Sequence, residues 1–210
     1  MEAAVFCFAR RGFDGTSIKD ITERAGVNPS LVSYHFNGKE GLYLACIESF
    51  GRARLDMARK LLVPPSSQEE LRIRLTMFVE EWMGCQMDQP DICRVIYREC
   101  DLEFPVAPDV FRDLFLESFK TLQNFFRHGQ TTGLIHPDRD VLAMSGFLMG
   151  SMMHMARNDY VAKKFFNVSL KDSDYRTRVV GELVTQFLEG NGPSDMLRPQ
   201  SSLNASHVRT

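Results

Sequence analysis

Apolar residues recur at steps of three and four along nearly the whole chain, and almost no stretch alternates with period two. A face repeating every 3.6 residues is buried by a helix, whereas a half-buried strand needs strict alternation. The chain therefore reads as all-α. Gly12, Gly15, Gly26, Asn37-Gly38, Pro64-Pro65, Pro90, Pro105, Pro108, Gly129, Gly133 and Pro137 punctuate it, which divides it into about nine helices. Start signals agree: Asn28 before Pro29, and the capping-box spacings Asn37 with Glu40 and Ser67 with Glu70. The longest apolar run, Val141 to Ala156, is bounded by Asp140 and Arg157. It falls short of the ~20 residues that a membrane span needs and predicts a buried helix, with no membrane partner.

With 210 residues, 44% of them hydrophobic and 25% charged, the composition suits a small module joined to a core-bearing domain. The five cysteines form no CxxC and sit in apolar helical stretches, as small hydrophobes do. Met1 to Phe8 has no basic leader character, so a reducing cytoplasm is expected. A net charge of −2 argues mildly against a polyanionic partner, since phosphate binders carry a basic footprint. That objection has to be answered locally.

The segment TSIKDITERAGVNPSLVSYHF, Thr16 to Phe36, gives a short helix, a turn at Gly26-Val27 and a second helix from Pro29, which is helix-turn-helix spacing. Ile18, Ile21 and Ala25 share one face of the first helix, and Val32 with Phe36 supplies the facing stripe; Val5 and Phe8 can close a three-helix core. This leaves Asn28, Pro29, Ser30, Leu31, Ser33, Tyr34 and His35 directed outward. Asn and Ser bond base edges or phosphates, Tyr and His bond phosphate oxygens, and Leu31 or Pro29 can meet a thymine methyl. Thr16, Ser17, Lys19 and Lys39 are candidate phosphate clamps near helix starts. Double-stranded DNA is the partner this pattern predicts.

The stretch from Ala3 to Phe50 resembles the DNA-binding domain of TetR-family regulators. Phe8-Ala9, Gly12-Phe13, Thr16, Ile21, Ala25-Gly26-Val27, Tyr34-His35-Phe36 and Lys39-Glu40 stand at that family's spacing. The resemblance implies a recognition helix of roughly Pro29 to Phe36, a homodimer, and a ligand pocket in the C-terminal helices. It thus implies a repressor released from a palindromic operator by a small apolar or amphipathic effector. Two departures stand out. The family usually has several residues, often basic, before its first helix, whereas Met1 falls about one turn inside it. The family also commonly has an aromatic residue where Ser33 stands, and a small or polar one where Leu31 stands. The expected organisation is a DNA-binding domain at 1–46, a helical ligand-binding and dimerisation domain at 47–190, and a disordered tail at 191–210.

Soft and aromatic residues crowd the second domain, and Phe78, Trp82, Met83, Tyr97, Phe115, Phe119, Met144, Phe147 and Met152 are candidates to line an adaptable pocket. Arg94, Arg98 and His154 are candidates to orient a ligand, though an exposed ion-paired stripe explains the arginines equally well. Ala143, Gly146 and Gly150 place small residues on one face of the helix expected from about Asp138 to Val161. With Val180, Val184 and Phe187 of the last helix they would form a four-helix dimer interface.

A thiol-responsive repressor using Cys85, Cys93 or Cys100 is the second reading. Seven residues span ~10 Å of helix, too far for a direct Cys93–Cys100 disulfide. A helical carrier or enzyme is the third. No HExxH, ExxH repeat, GxSxG, phosphate loop or GxGxxG is present, so neither cofactor nor metal is expected.

Overall fold

The computed structural model describes residues 1–191; the tail expected at 191–210 lies, beyond Asn191, outside the described residues. Among these there are ten helices and no strand. They are α1 Glu2–Arg11, α2 Ile18–Ala25, α3 Ser30–Phe36, α4 Lys39–Leu61, α5 Gln68–Asp88 and α6 Pro90–Asp101. Helix α7 runs from Pro108–Val110 through a π-helical segment, Phe111–Phe115, into Leu116–Thr131. The last three are α8 Val141–Arg157, α9 Asp159–Phe166 and α10 Ser173–Asn191. The tenth helix arises because the long apolar helix stops early. Asn158 turns back, its amide and its side-chain Nδ2 donating to the His154 carbonyl at 3.1 and 2.9 Å, and α9 starts on the far side.

Local chemistry sets the other boundaries. Ser17 and Asp20 form a capping box: the Ser17 hydroxyl accepts from the Asp20 amide at 3.1 Å while the Asp20 carboxylate accepts from the Ser17 amide at 2.9 Å. At α5 the Ser67 hydroxyl accepts from the Glu70 amide at 3.1 Å, but Glu70 reaches one residue further back, to the Ser66 amide and hydroxyl. Asn37 does not start α4 as expected. It closes α3 in the left-handed conformation (φ 57°), which Asn tolerates better than most residues, and Gly38 precedes α4.

Two apolar clusters build the interior. One joins α1–α3 and the first half of α4 to Cys85, Ile92, Cys93, Val95 and Ile96 of α5–α6 and to Ala107 and Phe111. The other gathers Leu71, Leu75, Val79 and Met83 of α5 with Leu122, Phe125 and Phe126 of α7, Met144, Leu148 and Met152 of α8, and Val180 and Val184 of α10. Helix α4 belongs to both: Leu42, Tyr43, Ile47 and Phe50 enter the first, Ala58 and Leu61 the second. Its 23 residues form one rod of roughly 34 Å, so nothing flexible separates the two clusters.

Candidate nucleic-acid interface and effector cavity

The helix-turn-helix rests on an aromatic wedge. Phe8 of α1 meets the Tyr43 ring edge-on at 4.8 Å, and Phe13 meets it at 5.0 Å. Ile21 and Val32 are buried against this wedge. Ala25, expected inside, is exposed; Thr22 takes the inward position, its hydroxyl donating to the Ile18 carbonyl at 2.9 Å. The α3–α4 corner is so tight that a Cβ on Gly41 would fall inside the Phe36 carbonyl, which leaves glycine alone acceptable there.

Beyond that core, α3 presents Ser30, Leu31, Ser33, Tyr34 and His35 to solvent, with Tyr34 83% exposed and its ring edge-on to His35 at 4.9 Å. Asn28 and Pro29 are exposed at its start. The Asn28 Oδ1 accepts from the Ser30 amide and hydroxyl at 2.9 and 2.8 Å, and the helix begins one residue later than expected, with Pro29 at its N-cap.

The expected clamps fare differently. Thr16 is only 2% exposed, and its hydroxyl donates to the Gly12 carbonyl at 2.7 Å; it closes the end of α1 and is not a surface clamp. Ser17 is exposed but engaged in its capping box. Lys39 turns inward, Nζ donating to the Phe13 carbonyl at 3.0 Å and lying 4.3 Å from the Phe13 ring centroid, so it too departs from the expected outward role. Lys19 stays exposed, 3.7 Å from Glu23. Other cations nearby are also engaged: Arg11 with Asp20 at 2.6 Å and Arg10 with Asp91 at 3.1 Å, while Arg10 and Arg24 both lie over the Phe6 ring. The Ser17 hydroxyl and amide, and then Arg11, hold the Asp20 carboxyl well below its usual range. The exposed surface is therefore polar and aromatic, with a sparse basic rim.

Residues 1–46 match the family described as bacterial regulatory proteins, tetR family. The chain thus carries a segment of the tetR-family type at its N-terminus. It is similar to the probable HTH-type transcriptional regulator YttP of Bacillus subtilis, 27% identical over 133 residues, which are 62% of this chain and 62% of that protein. The chain thus spans less than two thirds of that relative. It is also similar to the HTH-type transcriptional regulatory protein RaaS of Mycobacterium tuberculosis, 51% identical over 45 residues, 21% of each chain. Among solved structures, the fatty acid degradation regulator FadR from Bacillus halodurans superposes with a TM-score of 0.71 at 17% identity, covering 90% of this chain and 92% of that one. The shared fold thus extends over the C-terminal helices, while the strongest local identity is confined to a short segment.

Among the C-terminal helices the expected pocket residues separate. Phe78, Met83, Met144 and Met152 are buried in the second cluster and Trp82 packs against it; they fill the core and do not line the cavity beside α6. Phe115 stacks on Phe111 at 4.5 Å and on Phe50 at 6.4 Å. Phe119 is half-buried. Phe147 is 74% exposed and His154 is also exposed, and neither lines the cavity beside α6. Arg94, Tyr97 and Arg98, in contrast, come together along that cavity of about 500 Å³ between α6 and α8–α9, joined by Gln86 and Arg157. The Tyr97 hydroxyl donates to Gln86 Oε1 at 2.8 Å, and Asp101 accepts both Arg157 Nη atoms at 3.2 and 2.8 Å.

The dimer residues divide as well. Gly146 and Gly150 are exposed, and a Cβ at either would meet no atom within 4 Å; Ala143 is half-buried beside them. Val180 and Val184 are buried within the chain, and the Phe187 ring packs tilted against Phe126 at 5.4 Å. These three serve the subunit's interior. The outward face of α8–α9 instead presents Leu142, Phe147, Phe165 and Phe166.

One buried carboxylate escaped sequence reasoning. Glu99 of α6 is 2% exposed and accepts from the Tyr43 hydroxyl at 2.6 Å and from the Val106 and Ala107 amides at 3.4 and 3.2 Å. Its neighbour Arg98 donates to the Phe8 carbonyl at 3.1 Å. Helix α6 therefore grips both α1 and α4. The thiols show no activation: burial pushes Cys93 up to about 12 and raises Cys85 and Cys100, which opposes the thiolate form that redox sensing requires.

Proposed function

We propose that the protein is a ligand-responsive, DNA-binding transcriptional repressor that works as a homodimer. The carrying observation is the solvent-facing surface of α3, Ser30, Leu31, Ser33, Tyr34 and His35, held on a rigid core that continues through α4 into the sensor helices. Large exposed apolar side chains on one helix face mark an association surface, and Leu142, Gly146, Phe147 and Gly150 of α8 supply one that a second copy covers through a two-fold axis. Two recognition helices would then meet half-sites about 34 Å, one helical turn, apart. An effector in the cavity beside α6 acts through Arg98 on α1 and through Glu99 on α4, and so favours a spacing of the two α3 helices that no longer matches the half-sites.

Selection of bound duplexes from a random DNA library tests this reading. A palindromic consensus bound by two copies is expected; recovery of no consensus overturns it.

A further inference from the structure

The cavity beside α6 carries a chemical signature of its own, and its part as an effector site rests on the repressor reading. Four cations line it, Arg94, Arg98, Arg157 and Lys171, against two carboxylates, Asp101 and Asp159. Both carboxylates are committed. Asp101 grips Arg157 through two hydrogen bonds, and Asp159 accepts the Ser169 hydroxyl and the Leu170 amide, both at 2.6 Å. Arg94 leans on Asp91 at 3.4 Å. That leaves Arg98 and Lys171, for which no carboxylate stands within ion-pair distance among the described residues. Two tyrosines, Tyr97 and the exposed Tyr160, give the same cavity aromatic walls.

Arg98 has a second duty. Its Nη1 donates to the Phe8 carbonyl, which already accepts from the Gly12 amide at 2.9 Å. Gly12 sits at φ 75°, and a Cβ there would come 2.9 Å from Arg98 Nη1. The guanidinium thus presses on the C-terminal end of α1, where the helix dipole favours a cation. A carboxylate is a stronger acceptor for a guanidinium than a neutral carbonyl.

We propose that this cavity takes a small organic acid whose carboxylate is held by Arg98 and Lys171, with its aromatic body against Tyr97 and Tyr160, and that binding draws Arg98 away from the Phe8 carbonyl. The acid would then loosen the end of α1 from α6, an effect that a neutral molecule of the same shape cannot produce.

Calorimetric titration of the full-length protein with benzoate, 2-naphthoate and 4-phenylbutyrate, each beside its amide, tests the site. At least one acid is expected to bind about tenfold more tightly than its amide, and Lys171→Met and Arg98→Met are each expected to remove most of that difference. Lys171 is exposed, so its variant remains informative if Arg98→Met folds poorly. Hydrogen exchange supplies the second readout: the Gly12 amide should exchange faster with the acid bound. Absence of binding by all three acids, equal affinity for acid and amide, or affinity indifferent to Lys171→Met overturns the proposal. Neither measurement uses DNA, so failure here is distinct from failure of the repressor reading.

Discussion

Tyr43 on α4 donates its hydroxyl to the Glu99 carboxylate on α6 at 2.6 Å, and both side chains are buried. A buried charge is tolerable only when its lone pairs are occupied. Burial, and then the hydrogen bond to Glu99, push the Tyr43 phenol far above its ordinary value, so it stays a donor across the working pH range. The pair ties α4, the rod packed behind α3, to the helix that lines the cavity.

Tyr43→Phe is therefore expected to lower unfolding stability by about 1–3 kcal/mol, because it strips one partner from a buried carboxylate without changing ring packing. Urea titration measures the loss. A variant as stable as the parent would mean that the two remaining amide donors suffice.

Tyr34→Ala should separate binding from folding. With 83% of its surface exposed, its loss should change stability by no more than about 0.5 kcal/mol. Affinity for the selected duplex, read by fluorescence anisotropy, should fall by about tenfold, the scale of one good contact. Thr16→Val should do the reverse, destabilising the domain through its lost bond to the Gly12 carbonyl and leaving sequence preference intact. If Tyr34→Ala binds DNA normally, α3 does not meet the duplex through this face.

Elements were far easier to foresee than faces. The period of Ile18, Ile21, Val32 and Phe36 identifies two helices, because helix formation and burial of a stripe are local. Helix α8 is apolar nearly all round, so period cannot say that Met144 points inward and Phe147 outward. Thr16 at a helix start has the chemistry of a phosphate clamp and of a structural cap alike, and only the position of the Gly12 carbonyl decides. Glu99 was illegible for a simpler reason: its partner Tyr43 is 56 residues away.

The outward face of α8 predicts a clean dissociation. Phe147→Glu places a charge where two copies are proposed to meet, and the side chain is exposed in one subunit, so the fold should persist while sedimentation shows monomers. Val184→Glu buries a charge inside the subunit and should unfold it. Persistence of a dimer in Phe147→Glu would move the interface elsewhere.

Acid should weaken the start of α5. The Ser66 hydroxyl and amide, and then Arg74, hold the Glu70 carboxyl at about 2, below its ordinary 4.5. A depressed carboxylate stabilises the fold above its unfolded value and loses that contribution as pH falls through the folded one. The difference in melting temperature between the parent and Glu70→Gln should thus be full near neutrality and shrink steadily from pH 4.5 toward 2. A difference that stays constant over that interval would exclude this linkage.

Arg54 offers the opposite case, a charge whose removal should help. Its Nε and Nη1 are buried with no hydrogen-bond partner, and the guanidinium lies 5.5 Å from the Phe50 ring centroid, near Cys85 and Cys93. Unsatisfied buried donors cost about 1–3 kcal/mol, more when charged, and a methionine keeps most of the stem's volume and packs adaptably. Arg54→Met should therefore raise the urea midpoint by an amount corresponding to roughly 1 kcal/mol or more. A lowered midpoint would show instead that the guanidinium finds an acceptor in solution, and would make this corner of α4 a second place to look for a bound anion.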